Sequence, residues 1–100
     1  MAIKKSNRRP THPGAILRED TLSEIDLSAD ELADILGVPS KVFKEILNEE
    51  SPITADIAHR LGRAFGMSPD IWLRMQQAVD LYDTQVKNET VYSQIERITA

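Results

Sequence analysis

Two histidines, His12 and His59, and no cysteine are what this 100-residue chain offers for metal or nucleophilic chemistry. The histidines stand 47 positions apart, with no His-x-x-x-His pair, no glycine-rich phosphate loop and no Ser-His-Asp series around them. Such chemistry needs several groups converging at short, defined spacings. The catalytic and metal sets are therefore expected to be empty: not an enzyme, no cofactor, no small-molecule substrate. The side chains left to do chemistry are charged and hydrogen-bonding surface groups. Lys4, Lys5, Arg8, Arg9 and Arg18 all precede the first acid, Glu19, so the first 18 residues carry +5 and the remaining 82 carry −9. A basic segment of that kind suits a polyanion or an acidic partner. The overall balance of −4 has the wrong sign for nucleic acid, where affinity is dominated by neutralising phosphates.

The elements that must position these groups read as helices throughout. No period-2 alternation is long enough for a strand. Thr11-His12-Pro13-Gly14 is a helix entry, since proline in a first turn lacks only an amide hydrogen that would be unpaired anyway. Ile16 and Leu17 continue that helix, and a break is expected near Glu24 to Leu27. Ser28-Ala29-Asp30-Glu31 is a capping box opening a short helix whose apolar stripe is Leu32, Ala33, Ile35 and Leu36, closed by Gly37. Val38-Pro39 starts the next helix, with Phe43, Ile46 and Leu47 facing the core. Thr54 caps a fourth helix ending at Gly66, and Ser68-Pro69-Asp70 a fifth, carrying the stripe Trp72, Met75, Val79 and Tyr82. That helix is expected to run to about Lys87, with Val91 to Ile98 as a short amphipathic helix or a frayed tail. No run approaches the ~18 apolar residues that span a bilayer. The basic N-terminus lacks the apolar stretch of a secretory signal. No membrane contact and a cytoplasmic location are expected.

Two short helices, 28–36 and 39–47, joined at Gly37-Val38 are the helix-turn-helix unit, with Ala33 small where the helices cross and Val38 plugging the gap beneath the turn. In order along the chain come Leu32-Ala33, Leu36-Gly37-Val38, Ile46-Leu47-Asn48, Ile53-Thr54-Ala55, Ala58-His59-Arg60-Leu61, Ala64-Phe65-Gly66 and Ser68-Pro69. This series resembles the lambda-repressor-like (Xre) superfamily. His12-Pro13-Gly14-x-Ile16-Leu17-Arg18-Glu19 before it and Trp72-Leu73-x-Met75-Gln76-x-Ala78-x-Asp80-Leu81 after it narrow the resemblance to the HigA/VapI antitoxins, over about residues 10–83. The fold this implies is all-α: a five-helix lambda-repressor-like helix-turn-helix domain at 13–83, a flexible basic N-terminal arm at 1–12 and a C-terminal helical extension at 84–100.

The resemblance implies a homodimer that binds its operator DNA, autorepresses its operon, and binds and neutralises a HigB/RelE-like mRNA endonuclease toxin. The alternative is a solitary Xre-type transcriptional regulator without a toxin. In the family the second helix of the motif enters the major groove, and here that helix exposes Ser40, Lys41, Val42 and Lys44, able to meet base edges, phosphates or a thymine methyl. Ser28 and Thr54 cap the flanking helices, whose amides could meet phosphates. Arg8 and Arg9 are expected to reach a groove from the arm. Glu49 and Glu50, beside the groove-facing helix, are expected to repel phosphate. Acidic stretches at Glu19-Asp20-Glu24-Asp26 and Asp30-Glu31-Asp34 are candidate contacts for a basic toxin. Val79, Tyr82, Val91 and Ile95 are the candidate dimer interface, with Trp72 and Met75 assigned to the core of the single chain.

Overall fold

The computed structural model describes residues 8–99, and within them the chain forms five helices. Helix α1 is assembled from Pro13–Ile16, a π-helical turn Leu17–Thr21 and Leu22–Ile25. His12 begins it in extended geometry, its Nδ1 accepting the Gly14 N–H at 2.9 Å. In the wider turn the Leu22 N–H reaches the Leu17 carbonyl five residues back. Asp26, at φ 54°, ends the helix inside the break that the sequence predicts.

Helix α2, Ala29–Leu36, is opened by a reciprocal capping box: Ser28 Oγ accepts from the Glu31 N–H at 3.0 Å and Glu31 Oε1 from the Ser28 N–H at 2.8 Å. Gly37, at φ 73°, terminates it and turns the chain. Helix α3, Ser40–Leu47, follows Pro39, which stands at the cap position rather than inside the first turn. Helix α4, Ala55–Phe65, is capped by Thr54 Oγ1 accepting from the Ile57 N–H at 3.2 Å. Helix α5, Asp70–Tyr92, runs without a break through residue 83, the expected domain boundary, and is kinked at Asn88, directly after the end near Lys87 that the sequence predicts. Its helical angles fail only at Asn88, so Val91 is a helical residue and Ile95 lies beyond the helix end.

The core joins all five helices through Leu17, Leu32, Ala33, Leu36, Val38, Phe43, Ile46, Leu47, Ile53, Ile57, Ala58, Leu61 and Trp72. Trp72 is 4% exposed, as a core position should be. Gly14 lets α1 cross the end of α3 in backbone contact, because a Cβ there would collide with the Ile46 carbonyl. Two expectations change. Ile35 is exposed, since it lies roughly 100° around α2 from the centre of the Leu32, Ala33 and Leu36 stripe. Val79 is 1% exposed within the single chain, beside the segment that carries Arg9 and His12. Its place in the dimer interface is therefore withdrawn: its side chain is already buried within the single chain.

Candidate nucleic-acid interface

Helices α2 and α3 form the helix-turn-helix pair, and the rest of the fold holds the pair at the end of α2 and at the end of α3. At the turn, Arg60 from α4 donates through Nη1 to the carbonyls of Leu36 at 2.8 Å and Gly37 at 3.3 Å, while its Nε is held by Asp56 at 2.9 Å. Val38 closes the turn from beneath. At the far end, Arg18 from α1 donates through Nη1 to the Leu47 carbonyl at 2.6 Å. A helix C-terminus leaves its last carbonyls without intrahelical donors, so a guanidinium there both satisfies an acceptor and complements the helix dipole.

The outward side of α3 carries Ser40, Lys41, Val42 and Lys44. Lys41 is exposed, and no carboxylate pairs with it among the described residues. Val42 is 40% exposed and borders a shallow cleft with Val38, Pro39, Pro52 and Thr54, which places the Thr54 cap across from α3. Ser40 and Lys44 are engaged by one oxygen of Asp30 on α2, at 2.6 and 3.1 Å. The Ser40 hydrogen bond and the Lys44 charge hold the Asp30 carboxyl below its ordinary pKa. Ser28 is exposed with its hydroxyl spent on the capping box.

Among the described residues of the N-terminal arm, Arg9 is tied to α5. Arg9 makes a bidentate fork with Asp83 on α5, at 2.8 and 2.9 Å, and stands 3.6 Å from Glu49. The Arg9 hydrogen bond holds the Asp83 carboxyl below its ordinary pKa. The Arg9 guanidinium is thus engaged within the chain, on a side chain that stays 43% exposed. Arg8 is exposed, and Lys4 and Lys5 lie outside the described residues. The expectation for Glu49 also changes. Arg18, at 3.5 Å, and Arg9, at 3.6 Å, flank its carboxylate, so its charge is partly answered by two guanidiniums that it shares with Glu19 and Asp83. Glu50 keeps no such partner among the described residues.

Of the remaining interface candidates, Tyr82 is half-buried, while Val91 and Ile95 are 59% and 71% exposed. Sequence reasoning missed Arg18, Arg60 and Gln76 as positioning groups. Gln76 is buried, accepts the Ile53 N–H at 2.8 Å and donates to Asp80 at 3.0 Å, fastening the loop between α3 and α4 to α5. The signal for it was present: a polar residue four positions after Trp72, on the side of α5 that otherwise packs inward. His12 is buried and His59 exposed, and no group of three metal-ligating side chains exists among the described residues.

No protein-family profile matches the chain. It is 47% identical over 77 residues to virulence-associated protein I of Dichelobacter nodosus, covering 77% of this chain and 71% of that protein. It is 34% identical over 83 residues to antitoxin HigA-1 of Vibrio cholerae, covering 83% of this chain and 78% of that one. Among solved structures, Pseudomonas aeruginosa antitoxin HigA with the higBA promoter superposes with a TM-score of 0.85 at 37% identity, over 91% of this chain and all of that one.

Proposed function

This chain belongs to the HigA-like family of helix-turn-helix antitoxins and regulators, and on that premise we propose that it is the antitoxin of a type II toxin–antitoxin module. It binds operator DNA and so represses its own operon, and it binds and neutralises a toxin. The observation that carries the DNA half is α3 itself. The turn that leads into it is pinned by Arg60 and its last turn by Arg18, and it carries Ser40, Lys41, Val42 and Lys44 outward. A helix entering the major groove must be held rigidly by the body of the domain if its side chains are to discriminate bases. Lys41 and Lys44 contact base edges or phosphates, Val42 a thymine methyl, and the capped starts of α2 and α4 at Ser28 and Thr54 contact phosphates. Arg8 adds a phosphate contact from the arm.

The finer reading concerns the partners. The toxin is a basic HigB/RelE-like mRNA endonuclease, and the antitoxin has no catalytic role of its own and works in the cytoplasm. Asp20, Glu24, Asp26 and Asp34 support a basic partner, because none is neutralised by a cation among the described residues. The chain acts as a homodimer through Tyr82, Val91 and Ile95.

Co-expression with the neighbouring gene tests the reading. The expected result is a complex that survives purification and a retarded duplex from the upstream region, with Lys41→Ala lowering affinity and flattening the salt dependence by about one contact. Retardation of the duplex without any co-purifying toxin assigns the chain instead to solitary regulators of the Xre type.

A further inference from the structure

Asp30 stands in the first turn of α2, outside the expected groove-facing helix, yet one of its oxygens receives both the Ser40 hydroxyl at 2.6 Å and the Lys44 ammonium at 3.1 Å. Ser40 and Lys44 are four residues apart and so share one face of α3. The pair is a surface one: the Asp30 and Lys44 side chains are 63% and 53% exposed. Exposed ion pairs contribute little to folding stability. What this one does fix is conformation. A lysine ammonium on four flexible carbons is otherwise an unoriented point charge able to follow any phosphate. Lys41, one turn away and unpaired, is such a charge.

We propose that Asp30 is a positioning residue for DNA recognition, which orients Ser40 and Lys44 toward base edges and withholds the Lys44 charge from indiscriminate contact with phosphate. The proposal rests on α3 being the groove helix. A duplex of the wrong sequence offers Lys44 only phosphate, and to use it the amine must leave Asp30 while the bared carboxylate, within a Debye length, repels the same backbone. A duplex of the right sequence takes the two side chains as Asp30 presents them. The carboxylate therefore weakens unspecific binding more than specific binding.

The full-length chain and its Asp30→Asn, Lys44→Met and double variants are titrated with two duplexes over a salt series, one from the chain's own upstream region and one of scrambled sequence and equal length. Asn keeps an acceptor for Ser40 and removes the charge that holds Lys44. Asp30→Asn is expected to tighten binding of the scrambled duplex, to steepen its log–log salt slope by about one, and to cut the preference for the upstream duplex about tenfold. In the Lys44→Met background the same substitution is expected to leave the preference and the slope unchanged, because the bare carboxylate there repels both duplexes alike. The proposal is overturned if Asp30→Asn leaves preference and slope unchanged, or changes them equally without Lys44, which would make the effect one of bulk charge. A wild-type chain that shows no preference between the duplexes overturns the groove-helix reading itself, and this proposal with it. Unchanged preference in a variant of a chain that does discriminate overturns the proposal alone.

Discussion

His12 combines three local demands in one side chain. It is 4% exposed, it caps α1 through Nδ1, and it lies among Glu49, Arg9, Asp80 and Asp83. Burial lowers its pKa below the ordinary 6.5, and the neighbouring carboxylates only partly oppose that. Protonation would also take the lone pair that receives the Gly14 N–H. The unfolded chain binds a proton near 6.5 while the folded chain resists it. Stability from this group is thus fully present above 6.5 and is lost as pH falls from there through the lowered folded value. His12→Asn, which retains a capping side chain, should have a lower Tm than the wild type at neutral pH and a shallower decline across that window. Parallel Tm curves for the two proteins would remove His12 from the acid response. Asp30 and Asp83, held below their ordinary 3.8 by Ser40 and Arg9, lose their pairing only in more acidic solution.

At the scale of elements, what the sequence discloses is what lies within a few residues. The capping box at Ser28 and Glu31, the Thr54 cap and the glycine stops at 37 and 66 are local chemistry, and each stands where its spacing predicts. Arg60 and Arg18 act across 24 and 29 residues of chain, on backbone carbonyls that carry no residue identity, so no spacing announces them. The stripe on α5 was legible as apolar, but periodicity does not say whose surface covers it. For Val79 it is the chain's own, since the side chain is buried within the monomer. Gln76 gives the element-scale prediction. Gln76→Leu keeps the size of the side chain and leaves the buried Ile53 N–H without its acceptor. A loss of about 1–3 kcal/mol is expected in urea unfolding, the cost of an unsatisfied buried donor. A neutral substitution would show that the loop before Thr54 is held by packing alone.

Over the whole molecule, the adverse balance of −4 is a poor guide to what DNA or a second protein meets. Several acids are answered inside the chain: Glu19 by Arg18, Glu49 by Arg18 and Arg9, Asp30 by Lys44, Asp56 by Arg60 and Asp83 by Arg9. Beside α3 this leaves Glu50 as the unanswered carboxylate of the loop, while Asp20, Glu24, Asp26 and Asp34 stay available elsewhere. The molecule is elongated, 52 × 27 × 24 Å, and the outer part of α5 and the chain beyond it expose Val86, Val91, Tyr92, Ile95 and Ile98. Substituting aspartate for Val91 and Ile95 should convert the proposed homodimer to a monomer in light scattering with the monomer fold intact, since both side chains are outside the core. A dimer that persists would move the interface away from this end.

The Arg9–Asp83 fork joins residues 74 positions apart, one of them at the start of the described chain. Such a contact can close only after the intervening helices have found one another, because loop closure costs entropy before it returns any binding. The fork is therefore absent from the folding transition state and present in the native state. Interactions of that kind act on the rate of escape from the native state and leave the rate of arrival nearly untouched. In a chevron plot, Arg9→Ala should raise the unfolding limb severalfold and leave the refolding limb in place. The ion pair that ties Arg9 to α5 then adds to how long each folded molecule lasts rather than to how fast the next one forms.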